Sequence, residues 1–116
     1  MKLGAISLAA VIAGFVTPAT AHAFLERASP AAGESLHRGA VKVELHFSEA
    51  IEPSFSKVSV TDAGGHDMAA GDIDVSGTEM DVQLRKLSPG RYRVSWHAVS
   101  VDTHRTEGKY NFLILP

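Results

Sequence analysis

Period-two alternation of apolar and polar residues dominates this chain and restricts what it can fold into. Val41, Val43, Leu45 and Phe47 alternate with Lys42, Glu44 and His46. Met80, Val82 and Leu84 alternate with Asp81 and Gln83. Tyr92, Val94 and Trp96 alternate with Arg91, Arg93, Ser95 and His97, and Tyr110, Phe112 and Ile114 alternate with Lys109 and Asn111. Each run sets one apolar face on a core and one polar face toward water, as a half-buried strand requires. Val58 and Val60 suggest a further strand, and Ala23 to Ala28 a short first one.

Turn residues punctuate the runs: Pro30-Ala31-Ala32-Gly33, Asp62-Ala63-Gly64-Gly65, Ser76-Gly77 and Ser88-Pro89-Gly90. Short strands at this spacing predict an all-β sandwich or Greek-key barrel. Glu49 to Ser54 is the one place for a brief helical turn, and Pro53 keeps it short. Trp96, Phe47, Tyr92 and Phe112 are expected in the core. The 116 residues suffice for one domain and not for two.

The first stretch has a different character. Lys2 is its only charge, Leu3 to Val16 is apolar or small throughout, and Thr17-Pro18-Ala19-Thr20-Ala21 closes it. A basic start, a short apolar run and an Ala-x-Ala end are the parts of a secretory signal peptide. The run is shorter than the roughly 20 residues of a spanning helix. Cleavage after Ala21 makes His22 the new N-terminus; cleavage after Ala23 gives Phe24 and discards the histidine. The expected organisation is a signal peptide over 1–21 and one exported domain over 22–116.

Without Lys2 the chain keeps ten Lys and Arg against thirteen Asp and Glu, a net charge of −3. That balance gives no reason to expect nucleic acid or an anionic membrane as partner. There is no cysteine. The core alone must hold the exported fold, and thiolate metal sites and cysteine nucleophiles are excluded. Any metal must take nitrogen, oxygen or thioether ligands.

Six histidines occur. His37 falls in a polar loop, and His46 and His97 fall at outward strand positions, where a solvated or locally bonded imidazole is expected. His22 differs because cleavage gives it two nitrogens, the α-amine and Nδ1, which close a chelate ring. The α-amine pKa of roughly 8 lets a metal displace its proton near neutrality. Such a pair suits Cu(II), which favours tetragonal nitrogen and oxygen ligation. Asp102-Thr103-His104 is the second element. In an extended segment residues i and i+2 point to one side, so Asp102 and His104 can present a carboxylate and an imidazole together. By itself Asp-x-His also fits a polar loop in which Asp102 accepts a backbone amide.

Several segments are shared, in order, with a known family. They are His22 followed by Ala28-Ser29-Pro30-Ala31, Val43-Glu44-Leu45-His46-Phe47-Ser48-Glu49, and Leu87-Ser88-Pro89-Gly90-Arg91-Tyr92. Val94-Ser95-Trp96-His97-Ala98-Val99-Ser100-Val101-Asp102-Thr103-His104 and Gly108 complete the set. On these the chain resembles the CopC family of periplasmic copper-binding proteins. The resemblance implies an immunoglobulin-like, seven-stranded Greek-key β-barrel or sandwich. It implies one Cu(II) per chain, held by His22, Asp102, His104 and Glu49. Some members carry a Cu(I) site in a methionine-rich loop. Here that loop, Thr61 to Ala69, holds one methionine and one histidine, so no competent Cu(I) site is expected. His66 and Met68 are expected to be exposed loop residues, and Met80 a core residue.

The resulting expectation is a periplasmic, non-catalytic Cu(II) protein serving sequestration, resistance or delivery, with a CopD-type inner-membrane copper transporter as the partner the family suggests. Two alternatives are weighed against it. An oxidative copper enzyme of the N-terminal-histidine type is disfavoured, because the carboxylate beside His104 favours Cu(II) over Cu(I). A metal-free β-sandwich interaction domain would follow from cleavage after Ala23.

Overall fold

A computed structural model describes residues 24–40 and 42–116. Residues 1–21, expected to be a signal peptide, and His22, Ala23 and Val41 lie outside the described residues. Among the described residues eight strands run in the order β1 (Leu25–Ser29), β2 (Ser35–Leu36), β3 (Lys42–Phe47), β4 (Lys57–Thr61), β5 (Ala69–Ser76), β6 (Glu79–Leu84), β7 (Gly90–Val99) and β8 (Arg105–Ile114). A 3-10 turn at Pro53–Phe55 overlaps the end of the predicted Glu49 to Ser54 helical segment, with proline at its start. No helix among the described residues is long and apolar enough to cross a membrane.

The strands form two four-stranded sheets, β1-β3-β6-β5 and β2-β8-β7-β4. Only β5–β6 and β7–β8 are hairpins; the other neighbours come from chain crossings between the sheets, as in a Greek-key sandwich. The seven strands longer than two residues match the expected number, and β2 adds a two-residue parallel pairing on β8.

Alternation sets what is buried. Val43, Leu45 and Phe47 of β3 and Met80, Val82 and Leu84 of β6 face Val58 and Val60 of β4, Tyr92 and Val94 of β7 and Phe112 and Ile114 of β8. Burying a side chain of this kind is worth about 1.5–3 kcal/mol, and these positions hold the two sheets together. Tyr92 stacks on Phe112, and its hydroxyl donates back to the Ser88 carbonyl at 2.6 Å. This resembles the tyrosine corner that fixes the entry of a strand in sandwich folds. Trp96 departs from expectation. It occupies an inward position but is half-buried at the rim, over Gly108 and against Tyr110. A Cβ on Gly108 would lie 2.4 Å from the indole, so the absence of a side chain there makes room for the ring.

Candidate metal centre

The hairpin β7–β8 closes through Ser100 to His104. Ser100 is fully buried at 0% exposure. Its N–H donates to the His104 carbonyl at 2.8 Å, and its carbonyl accepts from the Thr103 N–H at 2.9 Å. Its hydroxyl accepts from the His104 N–H at 3.0 Å and donates to Asp102 Oδ1. Thr103 takes φ +74°, the left-handed region, where a β-branched residue is rare. The convergence of Asp102 and His104 therefore has a different origin from the one expected. Their side chains meet across a tight turn and not along an extended segment.

His104 Nδ1 lies 3.2 Å from Asp102 Oδ1 and 3.8 Å from Glu49 Oε1. One donor atom from each of Glu49, Asp102 and His104 falls within 4.8 Å of the others. Glu49 follows β3, and its loop is sewn to the hairpin. Glu52 N–H donates to the Val99 carbonyl at 2.8 Å and Val101 N–H to the Ala50 carbonyl at 3.0 Å, while Ile51 bridges Ser100. Ile51 N–H also reaches the Gly77 carbonyl at the tip of the β5–β6 hairpin, at 3.0 Å. The cluster thus rests on backbone from both sheets.

Its electrostatics favour a cation. The Ser100 hydroxyl, followed by the charge of His104, holds the Asp102 carboxyl below its ordinary range and so keeps it ionised. Glu49 Oε1 is shielded from water and has no hydrogen-bond partner. A carboxylate oxygen left this way is costly unless something positive meets it. A hard or borderline cation facing one imidazole and two carboxylates meets that need, so the residues present fit Cu(II). His104 is 74% exposed at its side chain and Asp102 50%, which leaves the cluster open to solvent.

The N-terminal strand leads to the same place. Phe24 packs on Phe47 with ring centroids 5.2 Å apart, and its carbonyl accepts from the Ser48 N–H at 2.7 Å, next to Glu49. His22 itself lies outside the described residues.

The remaining sequence candidates are dispersed. His37 and His97 are exposed. His66 is exposed and bonded to Asp62 within its own turn at 3.1 Å. Met68 differs from expectation: it is half-buried and packed against the core, because the Met68 N–H donates to the Val60 carbonyl and so turns the loop inward. Met80 is fully buried, as expected. His46 is half-buried, Nε2 3.4 Å from Glu44 Oε1, and with Glu79 makes a second cluster of donors. Sequence reading passed over Ser100. Its signal was present in the inward parity it shares with Tyr92, Val94 and Ala98.

A two-sheet sandwich with an exposed nitrogen and oxygen donor set at one end defines a small β-protein equipped for a divalent metal. The chain belongs to the CopC family: the CopC domain model matches residues 25–114. It is similar to Protein YobA of Escherichia coli K12, 34% identical over 115 residues that cover 93% of this chain and 91% of that protein. It is also similar to copper resistance protein C of Pseudomonas syringae pv. tomato, 37% identical over 105 residues, 83% of this chain and 82% of that one. The crystal structure of CopC from Methylosinus trichosporium OB3b superposes with a TM-score of 0.70 at 34% identity, covering 82% of this chain and 95% of that one. The family ties the chain to copper.

Proposed function

We propose that this chain is an exported, periplasmic Cu(II)-binding protein. It takes one ion per chain and acts without catalysis, in sequestration, resistance or delivery to a CopD-type membrane transporter. The observation that carries this reading is the shielded, partnerless Glu49 Oε1 beside Asp102 and His104. Residues 1–21 are the signal peptide, and cleavage after Ala21 presents the α-amine and Nδ1 of His22. Two residues span at most about 7 Å, so His22 stays close to Phe24, whose carbonyl is bonded beside Glu49. The ligand set is then two nitrogens of His22, the imidazole of His104 and the carboxylates of Asp102 and Glu49. Carboxylates favour Cu(II), and the pairing of one histidine with one core-packed methionine in the Thr61 to Ala69 loop offers little to Cu(I).

Intact mass of the exported protein decides where the chain begins, and a mass for a Phe24 start would remove the chelate. Titration with Cu(II) should then saturate at one equivalent. Extending the N-terminus by one residue moves the amine away from the imidazole and should cost nearly as much copper binding as His104→Ala. Full binding by the extended protein would refute the chelate.

A further inference from the structure

We propose that Ser100 is the positioning residue of the copper site, the group that aims Asp102 and His104 at one point; this rests on the copper-binding reading above.

A serine hydroxyl has one proton to give and lone pairs to receive with. Here both capacities are used, and both point at the metal loop. The proton goes to Asp102 Oδ1, and a lone pair takes the His104 N–H at 3.0 Å. The backbone of the same residue closes the five-residue loop through its N–H and its carbonyl. Ser100 itself cannot drift, because it is wholly buried and bridged to Ile51. The two side chains it holds are exposed, and the Ser100 hydroxyl is the buried donor that meets the Asp102 carboxylate. Without the hydroxyl, Asp102 would turn freely about two torsions, and the His104 N–H would lose its acceptor. The loop also holds Thr103 in the left-handed region, a conformation that persists only when its surroundings fix it. The Ser100 carbonyl, accepting the Thr103 N–H at 2.9 Å, takes part in that fixation.

The test uses the mature, exported protein and copper alone as the probe. Removing a group that orients a metal ligand commonly costs 10–100-fold in affinity, and Ser100→Ala should lose Cu(II) affinity by about that factor. Its Cu(II) EPR spectrum should broaden into more than one species, because Asp102 no longer holds one pose. Ser100→Thr retains the hydroxyl and should recover most of the affinity and the single spectrum; this variant carries the test if the alanine protein does not fold. In an Asp102→Ala background the further loss on Ser100→Ala should shrink, since the carboxylate it aims is gone. An equal loss in both backgrounds, or one unchanged EPR species in Ser100→Ala, would show that Ser100 is only packing and overturn the proposal. His104→Ala separates the two readings. If it leaves Cu(II) affinity intact, the copper site itself is misplaced and the role of Ser100 falls with it.

Discussion

Two places in the described structure bring one histidine and two carboxylates within ligand distance. Glu49, Asp102 and His104 meet on loops; Glu44, His46 and Glu79 meet on the outer face of β3 and β6. Their compositions match, but their surroundings do not. On the strand face Lys42 Nζ sits 2.9 Å from Glu44 Oε2, and Arg27 Nη2 is 3.5 Å from His46 Nδ1. The protein already supplies cations there. At the loop cluster no described Lys or Arg forms an ion pair with Glu49 or Asp102; Glu49 Oε1 has no hydrogen-bond partner and only the His104 imidazole near it, at 3.8 Å. Donor atoms at the right spacing therefore do not distinguish a metal site from a polar network. What differs between these two clusters is a Lys or Arg supplied by the protein.

The largest expected contrast is between two histidine variants. Copper at 100-fold excess over its dissociation constant stabilises the fold by about 2.7 kcal/mol. His104→Ala should lose most of that, read as the copper-induced rise in melting temperature, and His46→Ala should keep it. The reverse result would exchange the roles of the two clusters. Next comes the order within the loop site. Asp102→Ala should weaken copper binding and make the bound ion easier to reduce, because an anion is lost. Glu49→Ala should weaken it less, since Glu49 stands farther from His104 than Asp102 does. Potentiometry and the same thermal shift report both.

A third experiment makes the strand cluster imitate the loop cluster. Arg27→Ala with Lys42→Ala removes its built-in cations and should create weak uptake of a second metal equivalent, seen by zinc titration of copper-loaded protein. Contacts between exposed charged groups add little to stability, so the fold should survive. If no second equivalent appears, internal cations are not what separates the sites. The smallest effect concerns Asp81, which sits opposite both Glu44 and Asp74 in the register. Burial, then neighbouring carboxylates acting against Lys42, push its pKa up. A raised acid opposes folding while ionised. Asp81→Asn should thus raise the apo melting temperature slightly at neutral pH. The gain should fade as pH falls through the raised value toward the ordinary one, and a gain that persisted in acid would point to packing instead.

Much of this fold was legible because alternation and burial coincide. β3, β4, β6, β7 and β8 carry their apolar residues on one parity, and those residues form the core. β5 escaped notice. It is an edge strand, and only Ile73 and Val75 of its largely small and acidic sequence give an apolar beat. β2 is too short to have a period. At the site, Asp102 and His104 could be chosen from sequence, but for a geometry the turn replaces. Glu49 rested on family resemblance alone, because 52 residues lie between it and Asp102 and only the pairing of the two loops brings it near. Ser100 went unnoticed because a buried serine leaves no chemical pattern of its own.

The backbone bonds joining residues 50–52 to Gly77, Val99 and Val101 also bear on rates. A metal loop that hangs free releases its ion when the loop swings out. This one shares its amides with hairpins from both sheets, so it can open only as those sheets begin to part. Amide exchange at Ile51, Glu52 and Val101 should therefore be slow and should follow that of the core strands. Copper leaving such a frame would depart ligand by ligand, drawn off by an acceptor that offers its own donors at the exposed His104 edge. Turnover of the bound ion would then depend on the concentration of that acceptor more than on the breathing of the protein.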